Sequence, residues 1–391
     1  MYGLLLTLFA ELNQASAWPG QAVDFPQQSL RYSSQLLNPG DSEVTVAVVP
    51  PTIEQIKQVA RQQRATLVQY SLITDETLGS ELRVWVVQSS GRVELRRQSI
   101  GPQFEQWVDQ ACQQITSHDP TIQLQQLYQV LIQPIVDLLP TASEETVVFI
   151  PQGSLFKVPF AALADETGQY LIEQYVISTA PAIQILELIA RRQQQDNQFL
   201  ARQALVIGSP SESETTQVAD LLATQALQRE RTTKSELLAT LPTAQVIHFV
   251  IPSLQSETSA INGEPVIQLK PEREISDQLT TTEIQNLELD ADLVVLSGDR
   301  TALGPITTDG VIGLPRAFIV AGVPSVVASL WLMPDRPTQE LMVSFYQSLQ
   351  ENPNKAIALR QAMLETMARH PHPRNWAGLI LIGIAGDSSQ L

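Results

Sequence analysis

Asp299 is the residue whose position most strongly indicates chemistry in this sequence. It follows the apolar run ADLVVLS and a single glycine, in the stretch ADLVVLSGDRT. A buried strand that ends in polar residues is typical of the rim of an α/β sheet, where ligands and catalytic groups collect. A carboxylate there could do acid–base work with a second carboxylate about 3 to 9 Å away. Asp309 is the acidic candidate nearby in sequence, so a hydrolase using Asp299 with a second carboxylate or a metal is one hypothesis.

Residues for other chemistries are sparse. The chain has one cysteine, Cys112, which excludes an internal disulfide and a cysteine-rich metal cluster. Its four histidines are His118, His248, His370 and His372. The last two flank a proline at a predicted helix end, where a solvated cap is favoured over a metal site. The turn Gly208–Pro210 lacks the glycines of a dinucleotide loop, and Ser154 fails the nucleophile-elbow pattern. We therefore predict no metal and no cofactor.

Composition and charge narrow the class of partner. The chain has 391 residues, 43% of them hydrophobic, and a net charge of -17. This length suits one large α/β domain or two ordinary ones. Nucleic acids and anionic membranes require clustered Lys and Arg side chains, and the sequence has no dense cluster of them. A protein partner is predicted instead.

The N-terminal residues MYGLLLTLFAELNQASAWPGQ resemble a secretory leader. An apolar run from Tyr2 to Ala10 precedes the small residues Ala15-Ser16-Ala17, although no basic segment precedes the run. The run is too short to span a bilayer, and an ordinary N-terminal helix is the alternative. We expect a leader at 1–17, a linker at 18–43 and an exported protein, periplasmic or lumenal, with a cytoplasmic location as the alternative.

Periodicity predicts an α/β fold. Residues 44–73 read as strand, helix, strand, with capping-box spacing between Thr52 and Gln55. ELRVWVVQSSGRVELRRQSI predicts a hairpin, and helices are expected at about 103–117 and 122–139. From 145 onward, short apolar runs alternate with amphipathic segments, which indicates βαβ crossovers and a mostly parallel sheet covered on both faces. Pro315 predicts a helix that starts late or kinks.

Several phrases occur in the order found in one family. They are VVFIPQGSLFKVPFAALADETGQYLIEQYVISTAPAIQIL, AQVIHF, ADLVVLS, ITTDGVIGLPRAFIVAGVPSVVASLW, LMVSFYQSL, KAIALRQAML and HPRNWAGLILIG. The chain thereby resembles CHAT-domain proteins, of the caspase-like clan of peptidases (clan CD) that includes caspases and separase. The resemblance implies a caspase-like three-layer sandwich, with helices on both faces of a mostly parallel central sheet. It also implies a catalytically silent α/β subdomain at 44–142 and the CHAT domain at 143–386.

Active members of this family are cysteine peptidases. Their catalytic histidine, in a His-Gly pair, follows the strand written here AQVIHF, and their cysteine, in Ser-Ala-Cys, follows ADLVVLS. A thiolate attacks the amide carbonyl while the imidazole activates it and protonates the leaving amine. On this chain the pair falls on Pro252 and Ser253 and the cysteine on Asp299, with Gly298 in place of the usual alanine. Proline offers no proton acceptor, and aspartate, with a pKa near 4, is a poor amide nucleophile. The resemblance therefore predicts a pseudopeptidase and not an enzyme.

The candidate binding residues at the rim are Asp299, Asp309, His248 and Trp331. In relatives the acidic residue of the glycine-bearing loop lines the pocket for a basic side chain, a role that falls on Asp309; a helix N-cap before Gly310 is the alternative. His248 points to the same side of its strand as position 252 but about 13 Å away, which favours a packed structural role. Trp331 is either core or a ligand platform at the rim.

Three functions remain open from the sequence. The leading hypothesis is a non-catalytic module, regulatory or for assembly, whose groove binds a polypeptide segment bearing Arg or Lys. The second is the hydrolase of another class described above. The third is a structural subunit of an exported assembly.

Overall fold

The computed structural model describes residues 52–75, 79–116, 119–141, 145–195, 203–251, 260–261, 264–270, 277–307 and 310–386. The predicted leader, the linker and the strand expected before Thr52 lie outside these residues. Three positions important to the family resemblance, Pro252, Ser253 and Asp309, lie outside them as well.

Helices and strands alternate along the described part of the chain. The helices are α1 (Ile53–Gln62), α2 (Phe104–Gln114), α3 (Thr121–Leu131), α4 (Leu171–Gln174), α5 (Ile183–Gln195), α6 (Ser213–Leu221), α7 (Lys234–Thr240), α8 (Thr281–Gln285), α9 (Leu314–Val320), α10 (Asp335–Glu351) and α11 (Lys355–Arg369). The strands are β1 (Ala65–Asp75), β2 (Gly79–Val87), β3 (Val93–Ile100), β4 (Thr146–Ile150), β5 (Val176–Thr179), β6 (Gln203–Gly208), β7 (Leu227–Gln228), β8 (Ala244–Ile251), β9 (Ala260–Ile261), β10 (Glu264–Gln268), β11 (Gln278–Thr280), β12 (Leu293–Gly298), β13 (Ile306–Thr307), β14 (Gly310–Val311), β15 (Ser325–Ser329) and β16 (Leu379–Gly383).

One large sheet organises the molecule. Within the described residues its order is β3-β2-β1-β4-β5-β16-β15-β12-β8-β6-β7. The strands β15, β12, β8, β6 and β7 run parallel to one another, and so do β16, β5, β4 and β1. The two parallel groups meet antiparallel at β15 and β16, and β2 and β3 add antiparallel strands at one side. The predicted α/β class with a mostly parallel sheet is confirmed.

Both faces of the sheet are covered. All five residues of β4 and all five of β15 are buried, although successive side chains of a strand point to opposite faces. On one face Phe149 stacks on Phe160 with 4.2 Å between ring centroids, and Tyr70 packs against both rings. The helices therefore occupy both sides, as expected for a parallel sheet.

Residues 65–100 continue this sheet. β1 pairs in parallel with β4, Gln69 lying opposite Ile150. The predicted capping box of α1 is confirmed, because Thr52 accepts a hydrogen bond from the Gln55 backbone and the Gln55 side chain accepts one in return. The predicted hairpin is confirmed as β2 and β3, with Gly91 at φ +88° in its turn.

The helices predicted at about 103–117 and 122–139 are α2 and α3, which differ from prediction at their ends. α3 ends at Leu131 and the chain continues as a 3₁₀ helix, Gln133–Leu138. Pro134 explains the change, since proline cannot donate the next helical hydrogen bond. Pro315 lies in the first turn of α9, so the predicted late start of that helix is confirmed.

Replacing Tyr70 with phenylalanine tests the contact between β1 and the end of α3. The Tyr70 hydroxyl donates to the Leu131 carbonyl at 3.0 Å in a buried contact. Removal of the hydroxyl leaves that acceptor unpaired, and we expect the free energy of unfolding to fall by about 1 to 3 kcal/mol. Denaturant titration measures the change. Tyr175→Phe, at a half-buried ring, is the control and should change stability by less than about 0.5 kcal/mol.

Candidate functional site

The ends of three parallel strands form the predicted rim. β12 lies between β8 and β15, with Gly298 paired to Ile251 and Leu296 paired to Ala328. Asp299 is the first residue after β12. Because parallel strands end at one edge, Asp299 lies at the carboxyl edge of this group of strands, where the sequence placed it.

Gly298 allows an unusually close approach between two strands. A Cβ atom added there would lie 2.4 Å from the Ile251 carbonyl oxygen and 3.0 Å from the Ile251 Cβ. Backbone atoms cannot move away from such a contact without disturbing the ladder between β8 and β12. The local geometry therefore requires glycine where the family more often has alanine.

The turn after Asp299 is fixed by one buried hydroxyl. Thr301 is fully buried; its Oγ1 donates to the Leu296 carbonyl at 2.6 Å and accepts from the Ser329 backbone N–H at 2.9 Å. The Ala302 N–H donates to the Ser329 carbonyl at 2.9 Å. These bonds join the end of β12 to the end of β15. They hold the turn in place although Arg300 takes the left-handed conformation, at φ +52°.

Asp299 itself is partly open to solvent. Its side chain is 24% exposed, and its Oδ1 lies 4.0 Å from Nε of Arg300, whose side chain is 73% exposed. An ion pair of this length with an exposed arginine contributes little. The carboxylate is therefore available to accept hydrogen bonds from a donor that approaches the rim. Within the described ranges, no group of three or more His, Cys, Asp or Glu side chains lies close enough to hold a metal ion.

His248 belongs to an internal hydrogen-bond network. It is fully buried on β8, with Nδ1 2.9 Å from the Tyr346 hydroxyl and Nε2 3.1 Å from Glu214 Oε1. Burial and the negative charge of Glu214 raise the pKa of Tyr346 well above its usual value. The phenol therefore keeps its proton; in the His248 tautomer with the proton on Nε2, the phenol donates to Nδ1 and Nε2–H donates to Glu214. The predicted structural role agrees with this geometry, and a direct ligand contact is excluded because the side chain has no exposed surface.

Trp331 is a core residue and not a platform for a ligand. It is 9% exposed, and its indole Nε1 donates to the Arg374 carbonyl at 3.1 Å. Gly378 lies against the indole, so the ring is covered. The exposed apolar residue at this rim is the next one, Leu332, at 45% exposure. Sequence reasoning missed Leu332 because it continues an apolar run that reads as buried strand.

The loop between Asp299 and α9 is a hairpin. β13 and β14 pair antiparallel, with Ile306 opposite Val311. The N-cap of α9 is Gly313. The alternative that Asp309 caps a helix before Gly310 is therefore wrong, because Gly310 is in a strand. The proposed pocket-lining role of Asp309 lies outside the described residues.

Glu214, Tyr346 and Thr301 are the supporting residues that the sequence did not reveal. Glu214 and Tyr346 lie 34 and 98 positions from His248, and no local spacing connects them. Thr301 follows the rim directly, but a threonine in a polar turn is too common to signal its role.

Comparison with known proteins agrees with this architecture. The model of the CHAT domain matches residues 121–384. Tetratricopeptide repeat protein 28 of Homo sapiens is 28% identical over 322 residues, which cover 66% of this chain and 13% of that protein; the protein of the same name from Mus musculus matches equally. The chain thus spans about an eighth of the length of these relatives. The separase in the crystal structure of the Saccharomyces cerevisiae separase–securin complex at 3.0 Å is 10% identical, with a TM-score of 0.58 over 84% of this chain and 30% of that chain.

The fold is that of the caspase-like proteins, the class to which separase belongs. The chain is a member of the CHAT-domain family. No helix in the described ranges combines the length and the apolar character that a membrane crossing needs.

Gly298→Ala tests the close approach at the rim. The added methyl group meets the Ile251 carbonyl, and overpacking of this kind costs about 1 to 3 kcal/mol. We expect a lower melting temperature by calorimetry. Gly101→Ala is the matched control, because its added Cβ has no neighbour within 4 Å. Equal melting temperatures for the two variants would contradict the contact.

Alkaline unfolding tests the network around His248. The pKa of Tyr346 is raised in the folded protein, so above pH about 10 the unfolded chain loses this proton first and stability falls by about 1.4 kcal/mol per pH unit. Tyr346→Phe should reduce the slope by that amount in denaturant titrations above pH about 10. Tyr175 is less buried, although burial also raises its pKa. Tyr175→Phe should therefore change the slope less, and equal slopes for wild type and Tyr346→Phe would show that the phenol ionises freely.

Proposed function

We propose that this CHAT-domain protein is a pseudopeptidase that binds a polypeptide at the carboxyl edge of β8, β12 and β15 without cleaving it. The observation that carries the proposal is the carboxylate of Asp299 at the first position after β12, where active relatives place the cysteine. A carboxylate lacks the nucleophilicity of a thiolate toward an amide. Pro252, at the position of the family's histidine, has no proton-accepting side chain.

The chemistry of the described rim suits a basic, partly apolar ligand. Asp299 offers accepting oxygens, and its ion-pair partner among the described residues, Arg300, is 4.0 Å away; Leu332 presents an exposed apolar side chain on the segment after β15. Charge-assisted hydrogen bonds from Arg or Lys to such a carboxylate contribute roughly 1.5 to 3 kcal/mol. The overall charge of -17 also favours a cationic partner. The ligand class that fits is an extended segment with an Arg or Lys side chain.

Known relatives support a protein partner. One matching protein is named for its tetratricopeptide repeats, and the separase that shares the fold was crystallised in a complex with securin. Neither fact transfers a particular partner to this chain. They support a protein-binding or regulatory role.

Turnover and binding can be measured on the same protein. Peptides with Arg or Lys before the scissile bond should not be cleaved by the wild type. Their measured cleavage rate should equal the background rate seen with Asp299→Ala. Cleavage that is lost in Asp299→Ala would identify the aspartate as catalytic and favour the hydrolase hypothesis. Cleavage retained by that variant after removal of contaminants would also end the pseudopeptidase proposal, because it would place an activity elsewhere in the chain.

Binding should depend on the rim carboxylate. With a fluorescent peptide carrying one arginine among alanines and valines, Asp299→Asn should weaken binding by about tenfold or more, and added salt should weaken the wild type. Asp220→Asn, at an exposed position on α6, is the control and should bind as the wild type does. Unchanged affinity of Asp299→Asn would show that the ligand binds elsewhere.

A further inference from the structure

The outer edge of β3 is a second surface able to bind a polypeptide. β3 is the terminal strand of the large sheet and is eight residues long. In the described part of the chain no strand pairs with its outer side. A terminal strand of this length exposes a row of backbone donors and acceptors, to which an extended segment can add as a further strand. β3 also lies outside residues 121–384, which match the family model.

The backbone groups that face outward can be identified from the hairpin. The Gln88 N–H donates to the Arg92 carbonyl at 2.9 Å, so these two residues form a hydrogen-bonded pair. Hydrogen-bonded and non-hydrogen-bonded pairs alternate along an antiparallel ladder, and Val93 pairs with Val87 in the next position. The residues of β3 whose N–H and C=O groups point outward are therefore Val93, Leu95, Arg97 and Ser99.

The side chains along this edge are cationic. Arg92 and Arg96 both donate hydrogen bonds to the Glu94 carboxylate. These bonds lower the pKa of Glu94, and the bond from Arg92 has the larger effect. Arg97 is exposed and has no ion-pair partner in the described residues. Its cross-strand neighbour on the same face is Arg83, which forms an ion pair with Glu81 at 2.8 Å. Arg97 itself can pair with a carboxylate that a ligand places beside it, because opposite charges in neighbouring cross-strand positions attract.

The distribution of charge makes this edge an exception in the molecule. Residues 52–100 contain seven Lys and Arg against five Asp and Glu, a net of +2, in a chain whose total is -17. Charged side chains on an edge strand oppose its pairing with a second copy, most strongly in a register that places Arg97 opposite Arg97. They do not oppose, and would favour, a strand of opposite charge.

We propose that β3 accepts an extended acidic segment of another protein as an additional strand. The acidic residue of that segment lies opposite Arg97, and a residue two positions away, on the same face, lies opposite the half-buried Leu95 and is apolar. Backbone hydrogen bonds to the outward groups of β3 contribute affinity, and the carboxylate contributes selectivity. This surface is separate from the rim, and the proposal does not depend on the function proposed there.

A fluorescein-labelled peptide, Ser-Thr-Val-Thr-Asp-Thr-Thr-Ser, tests the proposal by fluorescence anisotropy with the full chain. We expect saturable binding that weakens about tenfold or more in Arg97→Glu, and likewise when the peptide aspartate is replaced by asparagine. A peptide with lysine in place of aspartate should bind Arg97→Glu better than it binds the wild type. Arg64→Glu, at an exposed arginine before β1, is the control and should leave the affinity unchanged.

A second variant tests the backbone contribution. The Ser99 N–H points outward, so Ser99→Pro keeps the ladder with β2 while removing one outward donor, a substitution that edge strands tolerate. We expect an unchanged melting temperature and lost peptide binding. No saturable binding to the wild type up to about 1 mM peptide would overturn the proposal. So would equal affinity in Arg97→Glu, or a wild-type dimer in sedimentation that Ser99→Pro dissociates, since the edge would then pair with a second copy.

Discussion

The hydrogen-bonded ladder that places β12 between β8 and β15 is the constraint on which the rest of this structure depends. Its register sets Gly298 against Ile251 so closely that only glycine fits. That same register brings the end of β12 beside the end of β15, where Thr301 bonds to both. These contacts hold the turn after β12, in which Arg300 takes the left-handed conformation, and they thereby place Asp299 at the rim. The chemistry of the rim is thus decided by backbone packing below it.

The buried residues that stabilise the sheet below the rim are different from the residues exposed at the rim. His248 is on β8 but bonds to α6 and α10 through Glu214 and Tyr346, inside the sandwich and away from solvent. A fully hydrogen-bonded buried network stabilises and specifies a core, whereas a network with one member missing is costly. Such a network resists substitution for reasons of stability alone. Asp299 takes no part in this network, so the loss of catalytic residues proposed above is compatible with a retained scaffold.

Local patterns predicted the elements well and their long-range arrangement only in part. The capping box of α1, the hairpin of β2 and β3, and the early proline of α9 each depend on residues a few positions apart, and the structure contains all three. The pairing of β1 with β4 joins residues about 80 positions apart, and no periodicity encodes it. For the same reason, local patterns did not indicate that β1, β2 and β3 extend the sheet of the family domain.

The site shows the same division between local and long-range information. Asp299 and the buried character of His248 could be inferred from a strand end and from strand geometry. The exposure of individual apolar residues could not be inferred, because Trp331 and Leu332 are consecutive residues in one apolar run. In the structure Gly378 packs against the Trp331 indole and covers it, whereas Leu332 is exposed. A stretch of apolar residues predicts burial on average. Where the chain leaves a strand, however, successive side chains point toward different neighbours, so one can be buried and the next exposed.

The two binding surfaces proposed for the sheet are unlike, and their difference follows from where each lies. At the rim, strands end and loops follow, so side chains such as Asp299 and Leu332 determine what binds. At β3 the strand runs along the edge, so backbone groups determine the shape of a ligand and Arg97 its charge. A carboxylate surface in an acidic chain attracts cationic segments from a distance, whereas an arginine edge in the same chain must act at short range, within about 8 to 10 Å at physiological salt. Association at the edge should therefore depend more on backbone complementarity than association at the rim does.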